Sequence, residues 1–383
     1  MTDTQRKILD ILISGLGEER GQIGTNIDYK AVTTCAMRHQ TSVLTYYGLK
    51  SLNLFNESLT SFKEHAYDIV FATVNQVYEL DRLKNEFEQA GIDYCVLKGA
   101  YIREFYPKPE MRSMSDIDVL ISDSQYKQIK PIMKRLGYIF CYESDHEITW
   151  KLKNGLLVEL HKCLVPTYNK DFIDYYGDGW KIFGSKDKLF EKQYVYSFVH
   201  FAKHYRDGGA GIKYVFDLYV LQKAKPDMDM DYILSQFKLL KLDEFYKNIL
   251  ETMRVWFEDA QESCITKLIT NNLFESGVYG NFEQRAIAYA YKKSKQTGSV
   301  RRARLSNVLS SAFSPLRIAK RKYRFLNTCP FLLPVAWIIN WVTGIKTNHN
   351  KISEVFKKAS YSTEENVDKF RCDLKAVGLD FYD

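Results

Sequence analysis

Two acids set two residues apart inside an aliphatic run constrain this chain more than any other feature. The run is Asp116-Ile-Asp-Val-Leu-Ile121, and Ile117, Val119, Leu120 and Ile121 favour a strand. Successive strand side chains point to opposite faces, so Asp116 and Asp118 share one. Carboxylates held together on a half-buried face repel, and burial raises their pKa, unless a cation lies between them. Hard, oxygen-seeking Mg²⁺ (or Mn²⁺) suits that position, because such ions are held by carboxylates together with substrate phosphates. Neutralising one acid, as in Asp118→Asn, is therefore expected to stabilise the metal-free fold.

The preceding segment supplies a second element. Cys95-Val-Leu-Lys-Gly-Ala100 reads as a short strand over 94–97 that turns at Gly99 into a helix, which runs to Phe105 and stops at Tyr106-Pro-Lys-Pro, since proline cannot continue it. A glycine at such a junction lets backbone N–H groups approach a phosphate, and a helix N-terminus favours the anion. Lys98 adds a point charge. Arg112 is placed either to neutralise a triphosphate or to pair with the acids four and six residues on. Glu159 is the natural third acid: it stands between Val158 and Leu160, where an ionisable group among apolar neighbours needs a reason to be.

Around these motifs the pattern alternates helix and strand. Residues 4–88 read as helices, with Ile8, Leu9, Ile11 and Leu12 as an apolar stripe and one long amphipathic stretch over 59–89. Ser122-Asp-Ser caps a helix to Leu136, closed by Gly137. Strands are expected over 138–142, 147–152 and 156–161, the last two joined by a hairpin at Asn154-Gly155. From about 188 to 293 the pattern is helical. The fold class is α+β: a small mixed sheet flanked by N- and C-terminal helical segments. The expected divisions are 1–88, helical; 89–165, the sheet-bearing core; 166–300, helical; and 301–383, basic and apolar.

Leu-Lys-Gly before a helix, Arg-x-x-x-Asp-x-Asp on a strand, and then Val-Glu-Leu-His resemble the uncharacterised bacterial nucleotidyltransferases of the DNA polymerase β superfamily. The resemblance covers roughly residues 70–220. It implies a Mg²⁺- (or Mn²⁺-) dependent transfer of a nucleoside monophosphate from an NTP to an acceptor. Asp116, Asp118 and Glu159 would be the metal-binding and catalytic acids, with Lys98, Gly99, Ala100 and Arg112 holding the nucleotide. Arg112 and His161 fall where similar proteins carry those residue types, which makes His161 a possible nucleotide or acceptor contact; the resemblance extends to His204 and Asp217, for which such a contact and a buried His–Asp hydrogen bond are both open. One departure stands out: the superfamily usually follows the turn glycine with serine or glycine, whereas Ala100 stands here, so a phosphate-touching hydroxyl is missing.

His200 and His204, four apart on a helix, could share a metal with Asp217. Their neighbours Phe198, Phe201 and Tyr205 favour packing instead.

Composition sets the surroundings. At 383 residues with 45% hydrophobic and 26% charged side chains, the chain is globular and larger than one ordinary domain. The net charge of +7 favours anionic partners, and much of the excess lies between Arg301 and Arg324. With only Phe313 and Tyr323 interleaved, that stretch argues against specific nucleic-acid binding. Seven scattered cysteines without a C-x-x-C pair argue against a zinc ribbon or disulfide framework and point to reduced, intracellular thiols. No signal-peptide pattern opens the chain. A cytoplasmic protein is expected, with weak contact to an anionic membrane surface through 301–345 as an option. The apolar run 331–342 contains Pro334 and Asn340 and is too short to span a bilayer; it is expected to pack on the helical domain. Two rival readings stand beside the enzyme: an inactive nucleotide- or metal-binding regulatory module, and a membrane-surface accessory protein for glycan or peptide assembly.

Overall fold

The computed structural model describes residues 1–383 apart from 20–22, 25, 167–169, 279, 304–312, 314–315, 317–318, 321–322, 348–359 and 381–383. The chain forms two compact units, one of residues 1–203 and 210–278, the other of 204–209 and 279–383.

The first unit opens with helices α1 (Asp3–Gly15), α2 (Tyr29–His39), α3 (Ser42–Ser51) and α4 (Thr60–Gln89). Thr2 and Gln5 form a reciprocal capping box at the start of α1, satisfying two of its otherwise unpaired backbone donors. Helices α1 and α3 cross at very short range. A Cβ added at Gly48 would lie 1.8 Å from the Ile11 carbonyl oxygen, and one at Gly15 would lie 2.3 Å from that of Leu44, so any side chain at either position would force the helices apart.

The sheet follows. Its strands are β1 (Tyr94–Val96), β2 (Asp116–Ile121), β3 (Ile139–Glu143), β4 (Glu147–Lys151) and β5 (Leu157–His161), in the order β1-β2-β5-β4-β3. Only β2 and β5 run parallel. The architecture is α+β with a small mixed sheet, as the sequence pattern implies. Gly155 turns the β4–β5 hairpin at φ +97°, a conformation open to glycine without steric cost, and Asn154 Oδ1 accepts from the Leu156 N–H.

Period-2 alternation gives the sheet two unlike faces. Ile117, Val119 and Ile121 of β2, Val158 and Leu160 of β5, and Ile148 and Trp150 of β4 form one buried cluster with Leu80, Leu83 and Phe87 of α4. Ile129, Ile132 and Met133 of α6 (Tyr126–Arg135) complete it. Asp116, Asp118, Glu159 and His161 alternate with these residues and belong to the opposite face.

The rest of this unit is helical: α7 (Lys170–Tyr176), α8 (Trp180–Phe183), α9 (Leu189–Arg206, whose last turn falls in the second unit), α10 (Lys213–Ala224), α11 (Met230–Leu239), α12 (Asp243–Phe257) and α13 (Cys264–Ser276). The ring of Phe198 packs against those of Phe237, Phe245 and Tyr246 in tilted and edge-on contacts.

The second unit contains α14 (Phe282–Thr297), α15 (Leu333–Thr347) and α16 (Glu364–Val377). Ala336 of α15 is buried with Ala319 and Leu326. Phe331, Val335 and Ile338 are 77%, 44% and 55% exposed, so the apolar run rests on the segment just before it and leaves much of its surface uncovered. Among the described residues no helix is long and apolar enough to cross a membrane. Arg304, Arg317 and Arg321, part of the basic stretch, lie outside the described residues.

Candidate active site

The parallel pairing of β2 with β5 sets Asp118 directly beside Glu159, with Leu120 beside His161 in the same register. Neighbouring strands lie about 4.8 Å apart, so residues 41 positions apart in sequence meet side by side on one face. Asp118, Glu159 and His161 each offer an oxygen or nitrogen, and these atoms lie within 4.8 Å of one another. This is the group of three or more metal-capable side chains found among the described residues. Asp116 falls outside it, one step back along the same face.

His161 Nε2 is 2.6 Å from Asp118 Oδ1 and 3.8 Å from Glu159 Oε2. Lys98 Nζ donates to the same Asp118 oxygen at 2.7 Å and lies 3.5 Å from His161 Nε2. Burial alone would raise the Asp118 carboxyl, but Lys98 and His161 override it and hold the group well below the usual carboxylate range. Burial likewise works against the Lys98 ammonium, and Asp118 outweighs it, keeping the amine charged far above neutrality. Glu159 behaves in the opposite way: burial, then the charges of Asp118 and Asp116, push it up to about 8. Asp116 is also raised, by burial and then by Asp118. Burial and Lys98 lower His161 and favour the neutral ring. The four acid and imidazole groups on this face thus divide into one carboxyl held low, two held high, and an imidazole shifted toward its neutral form.

The phosphate-cradle segment differs in detail from expectation. The helix is short, α5 (Lys98–Ile102), and continues to Phe105 only as a 3-10 turn. Leu97 is extended and its N–H bonds the Asp118 carbonyl, so the chain leaves the sheet opposite the key acid. The left-handed residue at this junction is Lys98, at φ +48°. Gly99 matters through close approach: a Cβ there would lie 3.1 Å from Arg112 Nη1 and 3.3 Å from Met114 Sδ. Ala100 is buried in the core that backs the sheet.

Arg112 pairs with neither acid of β2. Its Nε and Nη2 grip the two oxygens of Asp217 at 2.7 and 2.8 Å, a bidentate geometry that a guanidinium is shaped for. Both residues are buried, and Tyr106 Oη also donates to Asp217. Asp217 is therefore committed to Arg112, which removes it from the zinc arrangement considered with His200 and His204. His200 tilts against the Tyr214 ring, and His204, half-buried near the end of α9, belongs to the second unit.

Several residues around the cleft carry no local sequence signal. Lys213, the first residue of α10, is buried and donates to Gln40 Oε1 at 2.7 Å. Burial, then Arg112, lower its amine to about 7 against the pull of Asp217 and Asp116. Arg103, also buried, donates to Gln76 and the Arg112 carbonyl. Glu147 lies beside His161 in the β4–β5 register and bonds His146. The one available cue to Lys213 was the Gly208-Gly-Ala-Gly-Ile run that precedes it.

A cavity of about 240 Å³ adjoins the loop leading into Asp116. Its wall includes Gln40, Thr73, Gln76, Ser113 and Met114. Gln40 also donates to Ser115, the residue before Asp116.

Fold and cleft together define a sheet-borne acid and imidazole group able to take a divalent cation, edged by buried cationic side chains. The model of a family described as uncharacterised nucleotidyltransferase matches residues 25–258, more than half of the chain, and the protein belongs to that family. No curated protein and no solved structure gives a match.

Proposed function

We propose that the protein is a nucleotidyltransferase of the DNA polymerase β type that moves a nucleoside monophosphate from an NTP to an acceptor hydroxyl or phosphate, with release of pyrophosphate. The observation that carries this reading is the side-by-side placement of Asp118 and Glu159 on a face that the apolar core does not use.

Asp118, Glu159 and His161, with Asp116 one step back, form a donor set rich in oxygen that fits Mg²⁺ or Mn²⁺. When bound there, such an ion would supply charge neutralisation at the transferring phosphate. Glu159, raised by burial and its acidic neighbours when no cation is near, would be held as the carboxylate with the ion in place, and as a carboxylate it can take the acceptor proton. Lys98, the backbone around Gly99 and Ala100, and Lys213 supply positive charge for the triphosphate. Arg112 acts as a positioning residue: locked to Asp217, it fixes the loop from which β2 starts. The cavity beside that loop is the seat for the acceptor, and the sheet with its flanking helices is the catalytic core.

The test is pyrophosphate release by the full chain with each of the four common NTPs and Mg²⁺ or Mn²⁺, over a panel of acceptors. Release that requires metal and disappears in Asp118→Asn supports the assignment. Failure of the wild type to bind any metal–NTP pair overturns it.

The exposed apolar side chains of α15 favour a second reading for the C-terminal unit, that residues 301–345 touch an anionic bilayer surface. Flotation with phosphatidylserine vesicles, lost when Phe331 and Ile338 are changed to Ser, tests it. Equal flotation of the variant excludes it.

A further inference from the structure

We propose that Lys98 is a displaceable internal cation: its ammonium holds the metal position on Asp118 until a polyphosphate draws it away, so metal enters with the nucleotide and not before it. This rests on Asp118 being a metal ligand, as proposed above.

Three observations support it. The ammonium lies 2.7 Å from Asp118 Oδ1 and 3.5 Å from His161 Nε2, in contact with two of the three metal-capable groups. A divalent cation on the same carboxylate would share it with the ammonium, and two cations at one carboxylate repel. Second, Lys98 holds its backbone in the left-handed region, which disfavours side chains other than Asn, Asp or Gly and is kept only where surrounding structure enforces it. Third, Arg112 and Lys213, both buried, bond Asp217 and Gln40, and Lys98 is the cation seated against the metal-capable group.

With Lys98 in place, Asp118 is already neutralised and free metal gains little by binding. A triphosphate offers the ammonium a new partner and brings the metal with it. Lys98 would then pass from the acid to the phosphates, so the uncovered acid and the activated nucleotide arise in one event.

The experiment uses the full chain and Mn²⁺ alone, following the free-ion signal by electron paramagnetic resonance. The variants are Lys98→Asn and Lys98→Gly, both compatible with a left-handed backbone, and Lys98→Arg, which keeps the charge. In the absence of nucleotide, Lys98→Asn and Lys98→Gly should bind Mn²⁺ roughly ten-fold tighter than wild type or better, because a competing unit charge has been removed. Lys98→Arg should stay as weak as wild type. A non-hydrolysable NTP analogue should tighten Mn²⁺ binding to wild type by a similar factor and to Lys98→Asn much less. Adding Asp118→Asn to Lys98→Asn should abolish the gain. Mn²⁺ affinity of Lys98→Asn and Lys98→Gly equal to or weaker than that of wild type would overturn the proposal. Because this arm needs no nucleotide, it is independent of whether NTP transfer is confirmed.

Discussion

Lys98 Nζ lies 2.7 Å from Asp118 Oδ1, so the partner of the most strongly ionised acid in the cleft comes from the segment that leaves β1 to start a helix. This relationship changes what each acid is worth to the fold, and the following expectations depend on it.

Asp118→Asn should lower the melting temperature of the metal-free protein, contrary to the expectation drawn from the acid pair alone. The substitution leaves the half-buried Lys98 ammonium without its carboxylate, and losing such a charge-assisted hydrogen bond costs about 1.5–3 kcal/mol. Thermal denaturation in EDTA measures this directly. An unchanged or higher melting temperature would show that acid–acid repulsion outweighs the ion pair. Metal-dependent NTP binding should be lost in the same variant.

Glu159 carries the repulsion instead. Its carboxyl rises from an ordinary 4.5 to about 8 on folding, so the native state binds more protons than the unfolded state between those values. The stability this contributes is complete below about 4.5 and is lost as pH climbs through about 8. Glu159→Gln should flatten that decline and melt above wild type at pH 8.5 in EDTA. Chemical denaturation across pH 5–9 would read the difference, and parallel profiles for the two proteins would exclude it.

Lys213→Met should weaken NTP binding by roughly ten-fold, as expected for a lost phosphate contact, with little change in Mn²⁺ binding. The amine is lowered to about 7, below its unfolded value, so wild-type stability gains from this group as pH rises above about 7, and the variant should lose that gain. Calorimetric titration with an NTP analogue at pH 6.5 and 8.5 tests the binding arm; undiminished affinity at both would remove Lys213 from the phosphate site.

Ala72 lines the cavity from an exposed position on α4. Ala72→Phe should therefore raise the acceptor KM by roughly ten-fold through simple occupation of space, while kcat at saturation and the melting temperature hold. A fall in kcat with KM unchanged would place the acceptor elsewhere.

Much of the sheet was legible because its signals are local. Alternation set Asp116 and Asp118 on one face, and Asn154-Gly155 marked the hairpin that returns Glu159 beside them. The partners were not legible. Nothing near Lys98 in sequence shows that its amine will reach Asp118 20 residues later, nor that Arg112 will pass over the nearby acids for Asp217, 105 residues away. Ion pairing depends on which elements pack together, and strand periodicity carries no record of that. The apolar run at 331–342 differs for a related reason: its composition implies packing, and Ala336 is buried with Leu332 and Leu333 beside it, but Phe331, Val335 and Ile338 stay exposed.

The grip of Arg112 on Asp217 also sets a lower limit on the working molecule. A fragment ending after β5 would keep the metal-capable residues and all five strands, yet would lose the carboxylate that grips the Arg112 guanidinium. Trimming from the C-terminus should therefore meet a sharp threshold on reaching α10, and the smallest autonomous piece must carry a helix that contributes none of the metal-capable groups.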